Sequence, residues 1–186
     1  GYMRIIAGTA KGHTIKAPKG HATRPTQDRV RESIFNILSN YGLFNATVLD
    51  FFSGTGALAL EALSRGACSA VCVDVATAKL IKENAVHCHL ENRVEVWSHP
   101  LMVAVKRLQG RNFDYIFADP PYEKGFVQQT LDAVIATDLL KNDGMLIIER
   151  HEKEEPVLPE GWQIVREQRF GYTRVTYIRR DELERS

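Results

Sequence analysis

From residue 46 to residue 149 short apolar runs alternate with longer stretches of helical period, and this alternation constrains the fold most. The runs at 47–52, 69–74, 94–97, 113–118 and 145–149 have strand length. The intervening segments, up to Leu63, at 76–90, at 100–109 and at 125–137, read as helices. Strand followed by helix, repeated, predicts a parallel sheet with helices on both faces. Two last strands, near 163–168 and 172–179, meet at Phe170-Gly171 and predict a closing hairpin, and an antiparallel end on such a sheet is ordinary. With 186 residues, 44% of them hydrophobic, the chain can bury a substantial core.

Ahead of the alternation, residues 4–7 and 13–16 read as a small β-hairpin turned by Gly8 to Gly12. Residues 18–25 form a basic linker. Thr26 is placed to cap a helix carrying Val30, Ile34, Ile37 and Leu38, which Gly42 ends. The expected division is an N-terminal hairpin and linker at 1–25, a main domain at 26–180, and a tail at 181–186. The longest apolar runs are too short to span a membrane and no signal peptide is recognisable, so a cytoplasmic protein without membrane association, by default a monomer, is expected.

The net charge of +1 conceals an asymmetry. Residues 1–45 hold seven Lys/Arg against two Asp/Glu, whereas residues 46–160 hold eleven against seventeen. A basic amino-terminal arm on a near-neutral chain points to a polyanionic partner. Lys11, Lys16, Lys19, Arg24 and Arg29 are the expected phosphate contacts. Cys68, Cys72 and Cys88 are odd in number and lie in apolar segments, which suits reduced, buried thiols. His87-Cys88-His89 raises the question of a metal, but neighbours on a helix point to different faces and no spaced partner pair accompanies them; no metal is expected.

Two motifs carry chemistry. Asp119-Pro120-Pro121-Tyr122 follows the run at 113–118 and so stands at a strand's carboxyl end, where open α/β sheets hold ligands. The prolines stiffen the loop. An Asp oxygen and backbone carbonyls aimed at one point suit an amine that must give up N–H donors, and Tyr122 offers a face for a base. The second motif is Asp50-Phe51-Phe52-Ser53-Gly54-Thr55-Gly56, between a buried strand and a helix. Its glycines allow close backbone approach to a ligand, and Asp74, at the end of the next strand, is placed to accept from a ribose hydroxyl. The loop fits a loose dinucleotide fingerprint. However, Asp50 would repel a pyrophosphate, which argues against a nicotinamide-dependent oxidoreductase. It favours a ligand with an amino group and a positive charge; S-adenosylmethionine has both.

These motifs resemble those of class I S-adenosylmethionine-dependent methyltransferases acting on amino groups. More closely, Met3-Arg4-Ile5-Ile6-Ala7-Gly8, Thr23-Arg24-Pro25-Thr26, Arg31-Glu32-Ser33-Ile34-Phe35 and Leu60-Glu61-Ala62-Leu63-Ser64-Arg65-Gly66-Ala67 resemble the bacterial small-subunit ribosomal RNA guanine-N2 methyltransferases, the RsmD family. The resemblance implies a Rossmann-like fold with a seven-stranded, mostly parallel sheet, a C-terminal antiparallel hairpin and a small N-terminal hairpin. It implies S-adenosyl-L-methionine held by Asp50, Phe51, Ser53, Gly54, Thr55, Gly56, Asp74, Val75 and Asp119. Catalysis falls to Asp119, Pro120, Pro121 and Tyr122, and the acceptor is the N2 of a guanine in 16S ribosomal RNA, within an assembled or partly assembled small subunit. Ser98-His99-Pro100 departs from the family where an acid commonly approaches the adenine. Adenine N6 in DNA, a glutamine amide in protein, and a non-enzymatic RNA-binding module are the alternatives; intact acids at Asp50 and Asp119 speak against the last. Tyr172 and Arg174, near the closing hairpin, read as ordinary strand residues ahead of pocket residues.

Overall fold

The computed structural model describes residues 3–18 and 25–185, with backbone only at 25 and 26. Lys19 and Arg24 therefore lie outside the described residues. The chain divides into two compact units, Gly1–His99 and Pro100–Ser186. Its strands form a two-stranded sheet and a seven-stranded sheet that is mostly parallel with an antiparallel carboxyl-terminal end.

The first unit contains β1 (Met3–Arg4), β2 (Thr14–Ile15), α1 (Pro25–Leu38), β3 (Thr47–Phe51), α2 (Ala57–Ser64), β4 (Ser69–Val73), α3 (Ala78–His87), a 3-10 turn (Glu91–Arg93) and β5 (Val94–Trp97). Thr26, expected ahead of α1, lies within it, because the helix already begins at Pro25, a residue whose fixed φ and missing N–H suit a first turn. β3, β4 and β5 pair in parallel, with Asp50 opposite Cys72 and Val73 opposite Trp97. Every residue of β3 and β4 after the first is buried, as expected of strands covered on both faces. Cys72 and Cys88 are buried, but Cys68 is exposed, in the turn ahead of β4.

The amino-terminal arm packs on α2. Glu61, fully buried, accepts from the N–H groups of Ile6 and Ala7 at 2.8 and 3.1 Å. Its carboxylate also meets Arg31 and Arg65 at 3.4 and 2.9 Å. Ser64 Oγ accepts from the N–H of Ala10 at 2.9 Å and donates to the Ala7 carbonyl at 2.6 Å. The approach is so close that a Cβ on Gly8, whose φ is +88°, would stand 1.9 Å from the Ser64 carbonyl oxygen.

The second unit contains α4 (Leu101–Arg107), β6 (Phe113–Ala118), α5 (Phe126–Ala136), β7 (Leu140–His151), β8 (Trp162–Phe170), β9 (Thr173–Arg180) and α6 (Glu182–Arg185). Pro100, expected in the first turn of α4, is instead its cap, with extended backbone. β7 is longer than the apolar run at 145–149, because Leu140 already pairs with Phe113 before a bulge restores register at Tyr115 and Met145. β9 pairs antiparallel with both β7 and β8. Its residues 175–178 are all buried, whereas β8 keeps exposed positions along its length. The apolar strand therefore takes the inner place and the polar one the edge. A short helix, α6, stands where a tail was expected. No helix among the described residues is long and apolar enough to cross a membrane.

Candidate active site

In the first unit the carboxyl ends of β3 and β4 build a cradle. Asp50 is 2% exposed, and its Oδ2 accepts from Ser53 Oγ at 2.8 Å. The Ser53 N–H donates to the Val73 carbonyl at 3.1 Å, which fixes the turn against β4. Gly54 and Gly56 have φ of +59° and +81°, a region that side chains disfavour. A Cβ on Gly56 would come to 3.0 Å from Ile81 Cγ2, whereas one on Gly54 would meet nothing within 4 Å. The loop is thus packed behind Gly56 and open in front of Gly54. Asp74 holds it: Oδ2 accepts from the Gly54 N–H at 3.0 Å, and Oδ1 from those of Ala76 and Thr77 at 2.9 and 3.1 Å. Two carboxylate oxygens have further lone pairs, so Asp74 retains capacity for a hydroxyl donor. Burial, with the charge of Asp50, pushes the neighbouring Cys72 thiol far up, so it stays protonated and inert.

Val75, in the turn after β4, is 62% exposed and presents an apolar surface next to Asp74. Ser98 Oγ donates to its carbonyl at 3.3 Å. Phe51, by contrast, is 1% exposed and belongs to the core, so it reaches a ligand only through its backbone. One residue that no motif announced is Asn84. Buried on α3, it donates to the carbonyls of Thr55 and Lys16 at 2.9 and 3.0 Å and accepts from the Lys16 N–H at 2.9 Å. It thereby ties the glycine loop to the arm. A polar residue on the apolar face of a helix is the signal that marks it in the sequence.

Lys16 also lines a cavity of about 470 Å³ with Lys79, Lys82 and His87 of α3, and with Glu83, Asn84 and Val86. Lys79 and Lys82 were not among the expected phosphate contacts. Lys11, on the β1–β2 turn, and Arg29, on α1, are exposed. His87 and His89 are exposed while Cys88 points inward, and the His13 ring lies 6.2 and 5.7 Å from those of His87 and His89. Among the described residues no group of His, Cys, Asp and Glu is arranged to hold a metal.

In the second unit β6 and β7 run parallel with Ala118 opposite Ile148, so residues 119–122 leave the sheet at the same end at which β7 approaches His151. Asp119 is exposed at the surface, and desolvation by the surrounding protein pushes its carboxyl up to about 6. Pro120 is buried, Pro121 exposed, and Tyr122 41% exposed. Glu123 is left-handed, with φ of +62°, and Gly125 caps α5. The Tyr122 ring stacks on His151, with centroids 4.2 Å apart and planes within 13°. His151 in turn stacks on Tyr172, at 5.9 Å and 9°. Tyr172 sits in the β8–β9 turn rather than in a strand, and Arg174 pairs with Glu152 at 2.8 Å. Tyr172 is therefore not a strand residue, whereas Arg174 is one, within β9. Burial, and then the carboxylates of Glu123, Glu154 and Glu152, raise the Tyr122 phenol above its usual range.

The segment behind these rings is locked by Arg150. Its guanidinium, largely buried, donates to the carbonyls of His151, Glu152 and Glu154 at 3.2 to 3.4 Å. It also meets Thr176 Oγ1 at 3.0 Å and Glu167 Oε2 at 2.8 Å. Burial opposes the charge of Glu167, but the hydrogen bonds from Arg150 and Thr176 outweigh it and hold this carboxyl below its usual range.

The family model described as "Conserved hypothetical protein 95" matches residues 3–179, nearly the whole chain. The chain belongs to this family, the RsmD methyltransferases. YlbH of Bacillus subtilis strain 168 is 35% identical over 185 residues, covering 96% of this chain and 99% of that protein. Ribosomal RNA small subunit methyltransferase D of Escherichia coli strain K12 is 32% identical over 174 residues, covering 92% and 86%. Among solved structures, Escherichia coli yhhF superposes with a TM-score of 0.86 at 28% identity, covering 97% of this chain and 99% of its own. In this RsmD-family chain, residues 3–8, Arg31 and residues 60–67, which carried the resemblance, meet in the Glu61 clamp. Much of the family signature thus attaches the arm.

Proposed function

We propose that the chain transfers a methyl group from S-adenosylmethionine to the exocyclic N2 of a guanine in small-subunit ribosomal RNA, in an assembled or partly assembled particle. The observation that carries this reading is the Asp119-Pro120-Pro121-Tyr122 loop at the carboxyl end of β6, in a chain whose relatives are named for ribosomal RNA methylation.

The cradle of the first unit suits the cofactor. Gly54 leaves space in front of the loop, Asp50 places a buried negative charge behind it, and Val75 adds an apolar surface for an adenine. Asp50 is assigned to the ligand's amino-acid end through the loop, Asp74 to its ribose, and Gly54, Thr55 and Gly56 to close backbone approach. The cofactor, when bound, supplies a methyl group on a positively charged sulfur.

The residues of the second unit act on the acceptor. The lone pair of a guanine amino group is delocalised into the ring, so the nitrogen is a poor nucleophile. An Asp119 oxygen and the Pro120 carbonyl accept its two N–H bonds, draw the nitrogen towards a tetrahedral shape and localise the lone pair. The contribution is positional and electrostatic. Asp119, with its raised pKa, is also suited to take the displaced proton and release it to water at neutral pH. Tyr122 supplies the face on which the extruded base rests, and a base within a helix must leave its stack to reach it. Lys11, Lys16, Lys19, Arg24 and Arg29 are assigned to phosphates, and the cavity beside Lys16 adds Lys79 and Lys82.

The test is transfer of a tritiated methyl group to small ribosomal subunits, naked ribosomal RNA, DNA and a release-factor protein, with mass mapping of the product nucleoside. The expected product is N2-methylguanosine in RNA, with subunits the best acceptor. N6-methyladenine in DNA, methylglutamine in protein, or no transfer at all would overturn the reading.

A further inference from the structure

We propose that Tyr122, His151 and Tyr172 form a stacking platform for two nucleobases, the outer face of Tyr172 taking an unpaired base that flanks the one presented to Asp119. This rests on the reading of the acceptor as RNA.

The three rings are nearly coplanar in orientation, with successive planes differing by 13° and 9°. The 5.9 Å spacing falls in the range of offset-stacked aromatic pairs, and the 4.2 Å spacing is slightly tighter. The residues come from three separate places in the chain: the loop after β6, the end of β7 and the β8–β9 turn. The β7–β9 register brings the last two together, since His151 pairs with Thr173, the neighbour of Tyr172. At the outer end, Tyr172 is 73% exposed, so a large aromatic surface is held in water.

That face is not left to wander. The Glu152 N–H donates to the Tyr172 carbonyl at 2.8 Å. Arg174 donates to the carbonyls of Gly171 and Thr173 at 2.8 and 3.2 Å and meets Glu152 Oε2 at 2.8 Å. The Lys153 N–H donates to His151 Nδ1 at 3.1 Å, and Arg150 holds the carbonyls on either side. These bonds fix the backbone of the turn and the stack on His151 orients the ring, and a ring that receives a ligand gains from losing little freedom when it does.

The surrounding charge selects the ligand. Glu123 and Glu154 act on the Tyr122 phenol, while Arg174 neutralises Glu152, so the surroundings of Tyr122 are acidic. Phosphates and acidic peptides are disfavoured there. A neutral base, whose flat face stacks and whose edge offers N–H donors, is favoured. Single-stranded nucleic acid commonly uses aromatic side chains in this way.

The experiment measures methyl transfer to small ribosomal subunits by the wild type and by Tyr172→Ala, Tyr172→Phe and His151→Phe, together with adenosylhomocysteine affinity as a check on folding. Tyr172→Ala is expected to raise the KM for RNA about 5- to 100-fold, with kcat within about twofold and cofactor affinity unchanged. Tyr172→Phe keeps the stack and should stay near wild type, whereas His151→Phe keeps a ring but forfeits the Lys153 N–H bond and should raise the KM by less than Tyr172→Ala. An unchanged KM in Tyr172→Ala, or a loss in Tyr172→Phe equal to that in Tyr172→Ala, would overturn the platform alone. Absence of RNA methylation by the wild type would overturn the acceptor reading and the platform with it.

Discussion

Asp119 is the residue on which most depends, and its environment makes two measurable demands. Its carboxyl is raised to about 6, above its unfolded value, so folding favours the protonated form. The associated stability is present below about pH 4 and is lost as pH rises through about 6. Asp119→Asn, which cannot ionise, should therefore raise the melting temperature at pH 7.5 and bring little gain at pH 4. Transfer needs the carboxylate, so the wild-type rate should rise with pH through about 6 and level off. Asp119→Asn should lower kcat by about 100-fold or more, the scale of removing one well-placed electrostatic group. Gly54 gives a second residue-level expectation. Gly54→Ala meets no protein atom and costs only its left-handed backbone, about 1–2 kcal/mol. It should nonetheless weaken adenosylhomocysteine binding at least tenfold by calorimetry, since the added methyl intrudes on the open side of the loop. Gly56→Ala should lose more stability than Gly54→Ala, because its Cβ would press on Ile81 Cγ2.

At the scale of elements, α2 matters as much for the arm it carries as for the sheet it covers. Glu61 is buried with two guanidinium groups and two backbone N–H donors around it. Glu61→Ala leaves those groups without their acceptor, and removing one partner of a buried pair typically costs 3–5 kcal/mol, so about that loss is expected in urea unfolding. The arm should also loosen, seen as faster tryptic cleavage at Lys11. The helices and strands of the alternation were legible because each is announced by its own periodicity. Their ends were less so. β7 extends from Leu140 because the partner strand offers a pairing edge, a contact that no local pattern encodes. Pro100 could equally have been a cap or a first-turn residue, and its extended backbone decides for the cap.

For the molecule as a whole, the charge asymmetry becomes a surface prediction. Lys16 of the arm and Lys79 and Lys82 of α3 line one cavity, although some sixty residues separate them. If that face grips RNA, Lys79→Glu with Lys82→Glu should weaken binding and flatten the slope of log K against log salt by about 2. Adenosylhomocysteine affinity should be unchanged. An unaltered slope would remove this face from the RNA-binding surface, while equal loss of both affinities would point to general damage. Among the candidate site residues, Asp50, Ser53, Gly54, Gly56 and Asp74 share one cradle, whereas Phe51 turned out to be core.

By itself the sequence determined the class of fold, the two chemically active loops and the sign of charge each presents. These rest on periodicity and on spacing between chain neighbours, which survive in any compact arrangement of the elements. Only the tertiary structure decided that β9 lies inside β8, that Glu61 clamps the arm, that Asn84 joins arm to glycine loop, and that His151 sits between Tyr122 and Tyr172. Each of these depends on contacts between residues far apart in the chain. Such contacts are selected by how apolar faces and buried polar groups find partners together, and no short stretch of sequence contains that choice.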